Sequence, residues 1–350
     1  MEFTRILEHW YSKNKRDLPW RKTKDPYHIW VSEIILQQTR INQGLDYYFR
    51  FLQKFPDIQS LAEAGEEEVL KIWQGLGYYS RARNMHAAAK EIMNLYKGIF
   101  PGTFEEIRKL KGIGDYTAAA IASIAYGIPA PVVDGNVLRL FTRFFGIKEP
   151  VDSGKGKQAV LEITKKVINP RHPGDFNQAI MEFGAIQCKP VPDCRTCPLN
   201  SGCLAFQQKI VNDLPVRSKK QSQRTRYFHY LIITAGRGMK HTVFLKKRTG
   251  NDIWKNLFDF PLIEKEKVIS HKTLIKSKEW QAIFPAGNIK LLNISQARRH
   301  ILTHQIIVAK FYHIEAPVNI DLPFLKINLS DISKYPLPRL IDKYILELSR

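Results

Sequence analysis

The spacing of apolar residues divides the chain into two parts with different predicted structure. From Phe3 to about Gln208, apolar residues recur every three or four positions, which predicts amphipathic helices. From Asn212 to Arg226 this periodicity is lost and basic residues dominate, as in a solvated linker. Beyond it, runs such as Tyr227 to Thr234 predict strands, before a helix-like segment from Leu337 to Leu348. We therefore expect an all-α domain at 1–210, a basic linker at 211–226 and an α+β domain at 227–350.

The charge of the chain indicates a polyanionic partner. Fifty-four Lys and Arg against 33 Asp and Glu give a formal charge of +21, which favours nucleic acid. The longest uncharged stretch, from Tyr116 to Val133, is interrupted by Gly127, Pro129 and Pro131, so we expect no membrane-spanning helix. Glu2 and Arg5 break any signal-peptide core. We expect a cytoplasmic protein, associated with the nucleoid if the source is a bacterium.

The cysteines are confined to one short segment. Cys188, Cys194, Cys197 and Cys203 follow the spacing C-x5-C-x2-C-x5-C, and the rest of the chain has no cysteine. In a reducing cytosol a disulfide pair is the weaker interpretation. Four thiolates suit either a tetrahedral zinc ion or a [4Fe-4S] cluster, and the spacing alone does not choose between them.

A second pattern, from Leu110 to Ile121, is typical of a helix-hairpin-helix. A helix end is followed by Gly112-Ile113-Gly114 and then by a helix rich in small residues. The two glycines permit positive φ, so the turn can present backbone N–H groups to a DNA phosphate. A plain turn between two helices is the alternative, and the net charge favours DNA binding over it.

Two carboxylates are candidates for acid and base chemistry. Asp25-Pro26 predicts the start of a helix running to Gln38, in which Glu33 has mostly apolar neighbours that should raise its pKa. On this pattern alone, a buried structural glutamate is equally compatible. Asp134 follows an extended, proline-containing segment and precedes a helix, and a helix N-cap is the simpler interpretation when the residue is taken alone.

Several blocks together resemble the helix-hairpin-helix DNA glycosylase superfamily, and within it the adenine-specific mismatch glycosylases of the MutY type. They are Leu18–Arg21, Ser32–Thr39, Gly75–Asn84, the hairpin, Val133–Val137 and the four cysteines, in the family's order and over nearly the whole chain. The resemblance implies a [4Fe-4S] cluster at Cys188, Cys194, Cys197 and Cys203. The first two cysteines stand one residue closer together here than is usual in the family.

The resemblance also implies roles for the acidic residues and their neighbours. Glu33, protonated, would give its proton to N7 of an extruded adenine, and ionised Asp134 would stabilise the sugar cation. Asn136 and Tyr116 would orient water or the carboxylate in the second step. Tyr116 stands where related lyases carry a nucleophilic lysine, and Leu138 where some members carry another, so we expect base removal with little strand cleavage.

The DNA contacts implied by the resemblance lie in several segments. Gln38 and Tyr78 would enter the duplex, with Thr39 and Leu76 near the opposite base. Trp20, Arg21 and Gln178 would border the adenine, while Gly112 and Gly114 would contact the backbone. From the residues alone, Tyr78 and Tyr79 would simply be packing aromatics.

The C-terminal part, including Arg226–Tyr230 and Leu257–Leu262, resembles the family's Nudix-like domain but lacks the metal-binding run of glutamates after Pro261. The resemblance implies recognition of 8-oxoguanine by Leu302, Thr303 and His304, where Leu302 replaces an aromatic residue. A surface or core histidine is an equal alternative for His304. We expect a monomer acting on double-stranded DNA with A:8-oxoguanine or A:G mispairs. A pyrimidine or G:T mismatch glycosylase, and a catalytically silent DNA-binding protein, are the alternatives.

Overall fold

The computed structural model describes residues 2–218, 223–236, 241–285 and 287–348. The chain forms two compact units: a helical unit of residues 1–64 and 84–220, and a sheet unit of residues 65–83 and 221–350. Lys219 and Lys220 of the predicted linker lie outside the described residues. Within the described residues, no helix is both long and apolar enough to cross a membrane.

The part of the chain predicted to be all-α is helical, as expected. Its helices are α1 (Glu2–Asn14), α2 (Pro26–Leu36), α3 (Ile41–Lys54), α4 (Ile58–Glu63), α5 (Glu66–Ile72), α6 (Ser80–Tyr96), α7 (Phe104–Lys109), α8 (Asp115–Tyr126), α9 (Gly135–Phe145), α10 (Gly154–Val167), α11 (Pro173–Ile186) and α12 (Leu204–Gln207). Of these, α5 and the first residues of α6 belong to the sheet unit.

One apolar cluster of the helical unit joins α1, α9, α10 and α11. Phe3 and Leu7 of α1 pack with Phe141 of α9, Val160 of α10 and Phe183 of α11 in one buried apolar cluster. The rings of Phe3 and Phe141 meet edge to face, with centroids 5.6 Å apart. Burial of this cluster fixes the positions of α9 and α11, whose residues face the cleft described below.

The chain between residues 211 and 218 is less solvated than its composition predicted. Leu214 is buried, and the Arg143 guanidinium donates hydrogen bonds to the carbonyls of Val211 and Leu214, each at 3.0 Å. The amide of Val151 donates to the carbonyl of Val216 at 3.0 Å. This half of the predicted linker therefore packs on the helical unit, because a buried cation and a backbone amide find their acceptors there.

The sheet unit contains a mixed eight-stranded sheet. Its strands are β1 (Arg224–Ala235), β2 (Thr242–Lys247), β3 (Phe258–Asp259), β4 (Leu262–Lys265), β5 (Lys290–Ile294), β6 (Arg298–Ile301), β7 (Gln305–Ala316) and β8 (Leu325–Asn328). The central pair, β1 and β7, is parallel from Arg224 opposite Gln305 to Ala235 opposite Ala316. Strand β1 thus begins within the segment that the sequence predicted as linker.

Helices lie on both faces of this sheet. Helices α13 (His271–Ile275) and α14 (Lys278–Ile283) pack Leu274 and Trp280 against an apolar cluster that includes Tyr312. The neighbouring residue Phe311 points to the other face, where Tyr344 of α15 (Arg339–Leu348) stacks on it at 3.7 Å. Helix α15 starts two residues later than predicted, because its first turn follows Pro338.

Candidate active site

The two carboxylates singled out in the sequence face the same cleft of the helical unit. This cleft has a volume of about 870 Å³. The predicted site residues that line it are Trp20, Arg21, Glu33, Gln38, Thr39, Tyr116, Asp134, Asn136 and Gln178. Residues separated by more than a hundred positions along the chain thus share one cavity, although α2, α8, α9 and α11 are separate elements.

Glu33 is buried and accepts a hydrogen bond from a neighbouring side chain. It lies on α2, is 8% exposed, and accepts a hydrogen bond at Oε2 from the hydroxyl of Tyr116 at 2.7 Å. Burial raises the pKa of Glu33 to about 7, opposed by the hydrogen bond from Tyr116 and increased by the charge of Asp134. The apolar neighbours of Glu33 predicted this direction. Near neutral pH the carboxyl group is therefore able to donate a proton.

Asp134 is both the N-cap of α9 and a wall of the cleft. One of its oxygens accepts hydrogen bonds from the amides of Asn136 and Val137 at 2.9 and 2.7 Å, and the other accepts from the Asn136 side chain at 2.8 Å. Burial raises the pKa of Asp134, and these donors oppose the rise. The N-cap interpretation is confirmed, and it does not compete with a place in the cleft. The polar setting that the sequence predicted is present, but burial outweighs it.

The segment before Asp134 is held by a buried asparagine of α11. The Asn177 side chain accepts from the amide of Val132 at 3.2 Å and donates to the carbonyl of Ala130 at 2.7 Å and to Ser123 Oγ at 2.9 Å. Further along α11, a Cβ at Gly184 would lie 2.6 Å from the carbonyl oxygen of Asn136. A glycine there lets α11 approach the N-terminus of α9 closely. These contacts fix where Asp134 enters the cleft.

Sequence reasoning missed the charged residues Arg16 and Arg40 of the cleft, and also Glu182. It is almost fully buried and accepts hydrogen bonds from the guanidinium groups of Arg16 and Arg21, with distances between 2.5 and 3.0 Å. Its pKa is lowered to about 2: burial acts against the lowering, but the bonds from both arginines outweigh it. Glu182 therefore stays charged where Glu33 does not. Its spacing from Gln178, one helical turn, was the only signal in the sequence.

The side chains of Trp20 and Gln178, which also line the cleft, contact neighbouring aromatic residues. The Trp20 ring packs against Tyr48 with centroids 5.2 Å apart. Gln178 accepts a hydrogen bond from the hydroxyl of Tyr11 at 3.2 Å.

Helix α2 ends at Leu36, so the prediction that it runs to Gln38 is wrong. Gln38 has a left-handed φ of 56°, which is incompatible with a right-handed α-helix.

The hairpin has the predicted order of helix, turn and helix, between α7 and α8. Gly112 has a φ of 77°, and a Cβ there would lie 2.4 Å from that of Asn84, so both conformation and space require glycine. Gly114 differs from the prediction, because its φ of −98° is extended and it serves as the N-cap of α8. The space around Gly114 is open, because a Cβ placed there would meet no heavy atom within 4 Å.

The four cysteines line one pocket of the helical unit, together with Arg143. All four are free thiols. Among the described residues, no group of three or more His, Cys, Asp or Glu side chains is arranged to hold a single metal ion. The guanidinium of Arg143 lies 3.6 Å from Cys188 Sγ. Four soft thiolate donors in one pocket suit the iron of a [4Fe-4S] cluster, and thiolates are ligands of zinc as well.

A chain of hydrogen bonds connects this pocket to the cleft. Arg139 Nε donates to the carbonyl of Cys188 at 2.8 Å, and its Nη2 donates to Asn136 Oδ1 at 2.9 Å. Asn136 in turn donates to Asp134. The conformation of the cysteine loop is thereby connected to the position of Asp134.

The other predicted DNA-contact residues belong to the sheet unit. Leu76 is buried, whereas Tyr78 is 46% exposed and has a left-handed φ of 48°. The Tyr78 hydroxyl lies 2.6 Å from Thr303 Oγ1. Tyr79 is buried, so of the two tyrosines only Tyr79 is a packing aromatic.

The loop formed by Leu302, Thr303 and His304 closes the turn between β6 and β7. The amide of Leu302 donates to the carbonyl of Gln305 at 2.9 Å, and the Gln223 side chain donates to the carbonyls of Leu302 and Thr303 at 2.9 and 3.2 Å. His304 is exposed, which excludes the alternative of a core histidine.

Comparison with known proteins identifies both parts of the chain. Residues 31–170 match the HhH-GPD superfamily of base excision DNA repair proteins, and residues 229–347 match the NUDIX domain. Among solved structures, a thermostable thymine-DNA glycosylase superposes with a TM-score of 0.54 at 29% identity, covering 59% of this chain and 96% of that one. An endonuclease III–DNA covalent intermediate, with a TM-score of 0.52 at 22% identity over 59% of this chain and 95% of that one, supports the fold alone.

Curated relatives of this chain include adenine DNA glycosylases of a bacterium and a mammal. The adenine DNA glycosylase of Buchnera aphidicola subsp. Acyrthosiphon pisum is 33% identical over 98% of this chain and 96% of that protein. The adenine DNA glycosylase of Rattus norvegicus is 44% identical over 59% of this chain and 42% of that protein. The resemblance stated from the sequence is confirmed by these matches, and the chain belongs to the MutY-type adenine DNA glycosylases, base-excision repair enzymes that hydrolyse the N-glycosidic bond of adenine.

Proposed function

We propose that this enzyme removes adenine opposite 8-oxoguanine or guanine by hydrolysis and leaves the DNA strand intact. The observation that carries the proposal is the pairing of Glu33 and Asp134 in one cleft, with burial raising the pKa of Glu33 to about 7. An acid that is about half protonated near neutral pH is suited to general acid catalysis.

Glu33 is the group that makes adenine a good leaving group. The base must first rotate out of the duplex into the cleft, at a cost that is smallest at a mispair. Because Tyr116 bonds Oε2 of Glu33, Oε1 carries the proton toward N7 of the base. The base then departs without a negative charge as the glycosidic bond breaks. Arg21, fixed by Glu182, and Gln178 border the base and select its hydrogen-bonding edge.

Asp134 serves the other side of the reaction. Loss of the base leaves an oxocarbenium ion, which a carboxylate stabilises electrostatically or by a covalent bond. The three N–H donors of Asn136 and Val137 favour the charged form of Asp134. Asn136 also orients the carboxylate for the addition of water. In this proposal Asp134 is ionised while Glu33 carries its proton, so the two carboxylates of one cleft take opposite protonation states.

The lack of a lysine supports hydrolysis without strand cleavage. Tyr116, at the hairpin position where related lyases carry lysine, is a phenol that cannot form an imine with the sugar. Burial raises the pKa of Tyr116 well above its usual value, so it remains a hydrogen-bond donor to Glu33. Leu138 offers no second amine.

The sheet unit supports recognition of the opposite base. Thr303 and Tyr78 have their hydroxyl groups 2.6 Å apart, which places a polar pair beside an exposed aromatic ring. We infer that Tyr78 and Gln38 enter the duplex, with Leu76 and Thr39 near the opposite base, while Thr303 probes its oxidised edge. Leu302 and His304 flank that contact. Gly112 and Gly114 bind the DNA backbone through amides of the hairpin.

The four cysteines would hold a [4Fe-4S] cluster. When bound, the cluster supplies iron–thiolate bonds that fix residues Cys188 to Cys203 as one loop, and Arg143 offsets its negative charge. Protein purified without oxygen should be brown and contain iron and sulfide. A colourless protein containing zinc would exclude the cluster.

One assay tests the specificity. Duplexes with A opposite 8-oxoguanine, G or T, and with T opposite G, are incubated with the monomeric enzyme and then heated with or without alkali. We expect alkali-dependent cleavage only for A opposite 8-oxoguanine and A opposite G. Removal of thymine would favour the pyrimidine alternative, and cleavage without alkali, trapped by borohydride, would contradict the absence of lyase activity.

A further inference from the structure

The loop that carries Tyr78 has an unusual backbone. Within Gln74–Tyr79, here called the wedge loop, Gly75, Gly77 and Tyr78 have φ values of 99°, 77° and 48°. Glycine adopts this region at little cost, but tyrosine does not. Such a conformation persists only where neighbouring groups determine it. The neighbours of the wedge loop therefore control whether Tyr78 stays exposed and correctly aimed.

Those neighbours lie at the start of α15, in Leu337–Asp342, here called the clamp. Arg339 donates a hydrogen bond through Nη1 to the carbonyl of Gly75. The Gln74 side chain donates to Asp342 Oδ1 at 2.7 Å and accepts from the amide of Leu337 at 3.2 Å. The Tyr79 hydroxyl donates to the carbonyl of Leu337 at 3.1 Å. The clamp thus contacts both ends of the wedge loop.

The clamp is itself rigid. Pro336 and Pro338 flank Leu337, which restricts its backbone. The carbonyl of Pro336 accepts a hydrogen bond from the amide of Phe258 in β3 at 2.9 Å, and Leu337 is buried. Tyr344, five residues after the start of α15, stacks on Phe311 of the central strand β7. A sheet-anchored element therefore holds the wedge loop.

We propose that the clamp is a positioning element for lesion recognition, in which Arg339 and Asp342 set the conformation from which Tyr78 enters the duplex. The inference rests on the proposed role of Tyr78. With the loop held, Tyr78 enters DNA without ordering its backbone first, and its hydroxyl stays beside Thr303. Arg339 bonds to the wedge loop and is not among the residues that line the cleft with Glu33, so we assign it a positioning role and no part in the chemistry.

The test compares Arg339→Ala with Arg339→Lys, which retains one donor. The matched control is Lys265→Ala in the same unit, whose ammonium group pairs with Glu279 of α14 at 2.6 Å, on the face of the sheet opposite α15. Affinity is measured on duplexes holding a non-hydrolysable adenosine analogue opposite 8-oxoguanine or guanine. A 2-aminopurine placed beside the opposite base reports insertion of the wedge by its fluorescence.

For Arg339→Ala we expect about tenfold weaker binding to the 8-oxoguanine duplex, a reduced preference over guanine and a smaller fluorescence change. Arg339→Lys should recover part of each, and Lys265→Ala should match wild type. The pH profile of excision should keep its shape, because Glu33 is untouched. A merely structural role would instead lower the amount of active enzyme and leave preference and fluorescence unchanged for the active fraction.

Two further variants separate the possible failures. If Arg339→Ala does not fold, Asp342→Ala, which removes the acceptor of Gln74, should change the same readouts in the same direction. Tyr78→Ser tests the wedge itself: normal binding and fluorescence in this variant would refute the proposed role of Tyr78. If Tyr78→Ser is impaired while Arg339→Ala and Asp342→Ala behave as wild type, the proposed role of Tyr78 stands and the proposed positioning role of the clamp is refuted.

Discussion

At the scale of single residues, the chemistry depends on how differently the surroundings of each carboxylate in the cleft shift its pKa. Burial raises the pKa of Glu33 to about 7, whereas the bonds from Arg16 and Arg21 lower that of Glu182 to about 2 in spite of its burial. Of these two residues, only Glu33 changes charge near neutral pH.

The pH dependence of excision should follow Glu33. Because the acid must be protonated, the single-turnover rate should fall as pH rises through about 7. Tyr116→Phe removes the bond that stabilises the charged form, so the alkaline limb should move up by about one pH unit. Tyr126→Phe, on the same helix and bonded to the carbonyl of Phe100, is the control and should not move it. A limb that stays in place for Tyr116→Phe would contradict this coupling.

The sequence predicted some of these residues better than others. Glu33 could be found because its apolar neighbours lie on its own helix, and Asp134 because prolines precede it. Glu182 could not, since its arginine partners lie 161 and 166 positions away along the chain. Side-chain pairs formed only by tertiary packing leave no local pattern.

At the scale of elements, the extended segment before α9 depends on Asn177. Replacing it by alanine leaves the amide of Val132 and the carbonyl of Ala130 without their side-chain partner in the core. We expect Asn177→Ala to destabilise the helical unit by about 2 to 4 kcal/mol and to speed hydrogen exchange of the Val132 amide. Asn94→Ala, at an exposed position of α6, should change neither. Unchanged exchange in Asn177→Ala would show that the segment does not depend on this side chain.

Helices and strands were predictable where one periodic face is buried, and their ends less so. The order of α7, turn and α8 follows from the glycines, but only Gly112 needs the left-handed region. Helix α2 stops before Gln38. Gln38 and Tyr78 both have a left-handed backbone conformation, and both lie in segments where the hydrophobic periodicity gives no signal. The pairing of the wedge loop with α15 joins residues more than 250 positions apart, beyond the reach of any local pattern.

At the scale of the whole molecule, the formal charge of +21 governs encounter with DNA. Each phosphate neutralised by the protein releases counterions, so the logarithm of the binding constant should fall linearly with that of salt concentration, by about 0.9 per contact. Measured by fluorescence anisotropy, A:8-oxoguanine and fully paired duplexes should share a similar steep slope and differ in affinity. A salt-independent affinity would contradict binding through phosphates.

The central claim is that Glu33 acts as the acid within a cleft that it shares with Asp134. The most direct measurement is single-turnover excision by Glu33→Gln on a duplex with adenine opposite 8-oxoguanine, alongside its affinity for the same duplex. We predict that the amide, which fills the same space and has no acidic proton, abolishes adenine release while affinity stays close to that of wild type. Excision at an appreciable fraction of the wild-type rate would contradict the assignment of Glu33 as the proton donor.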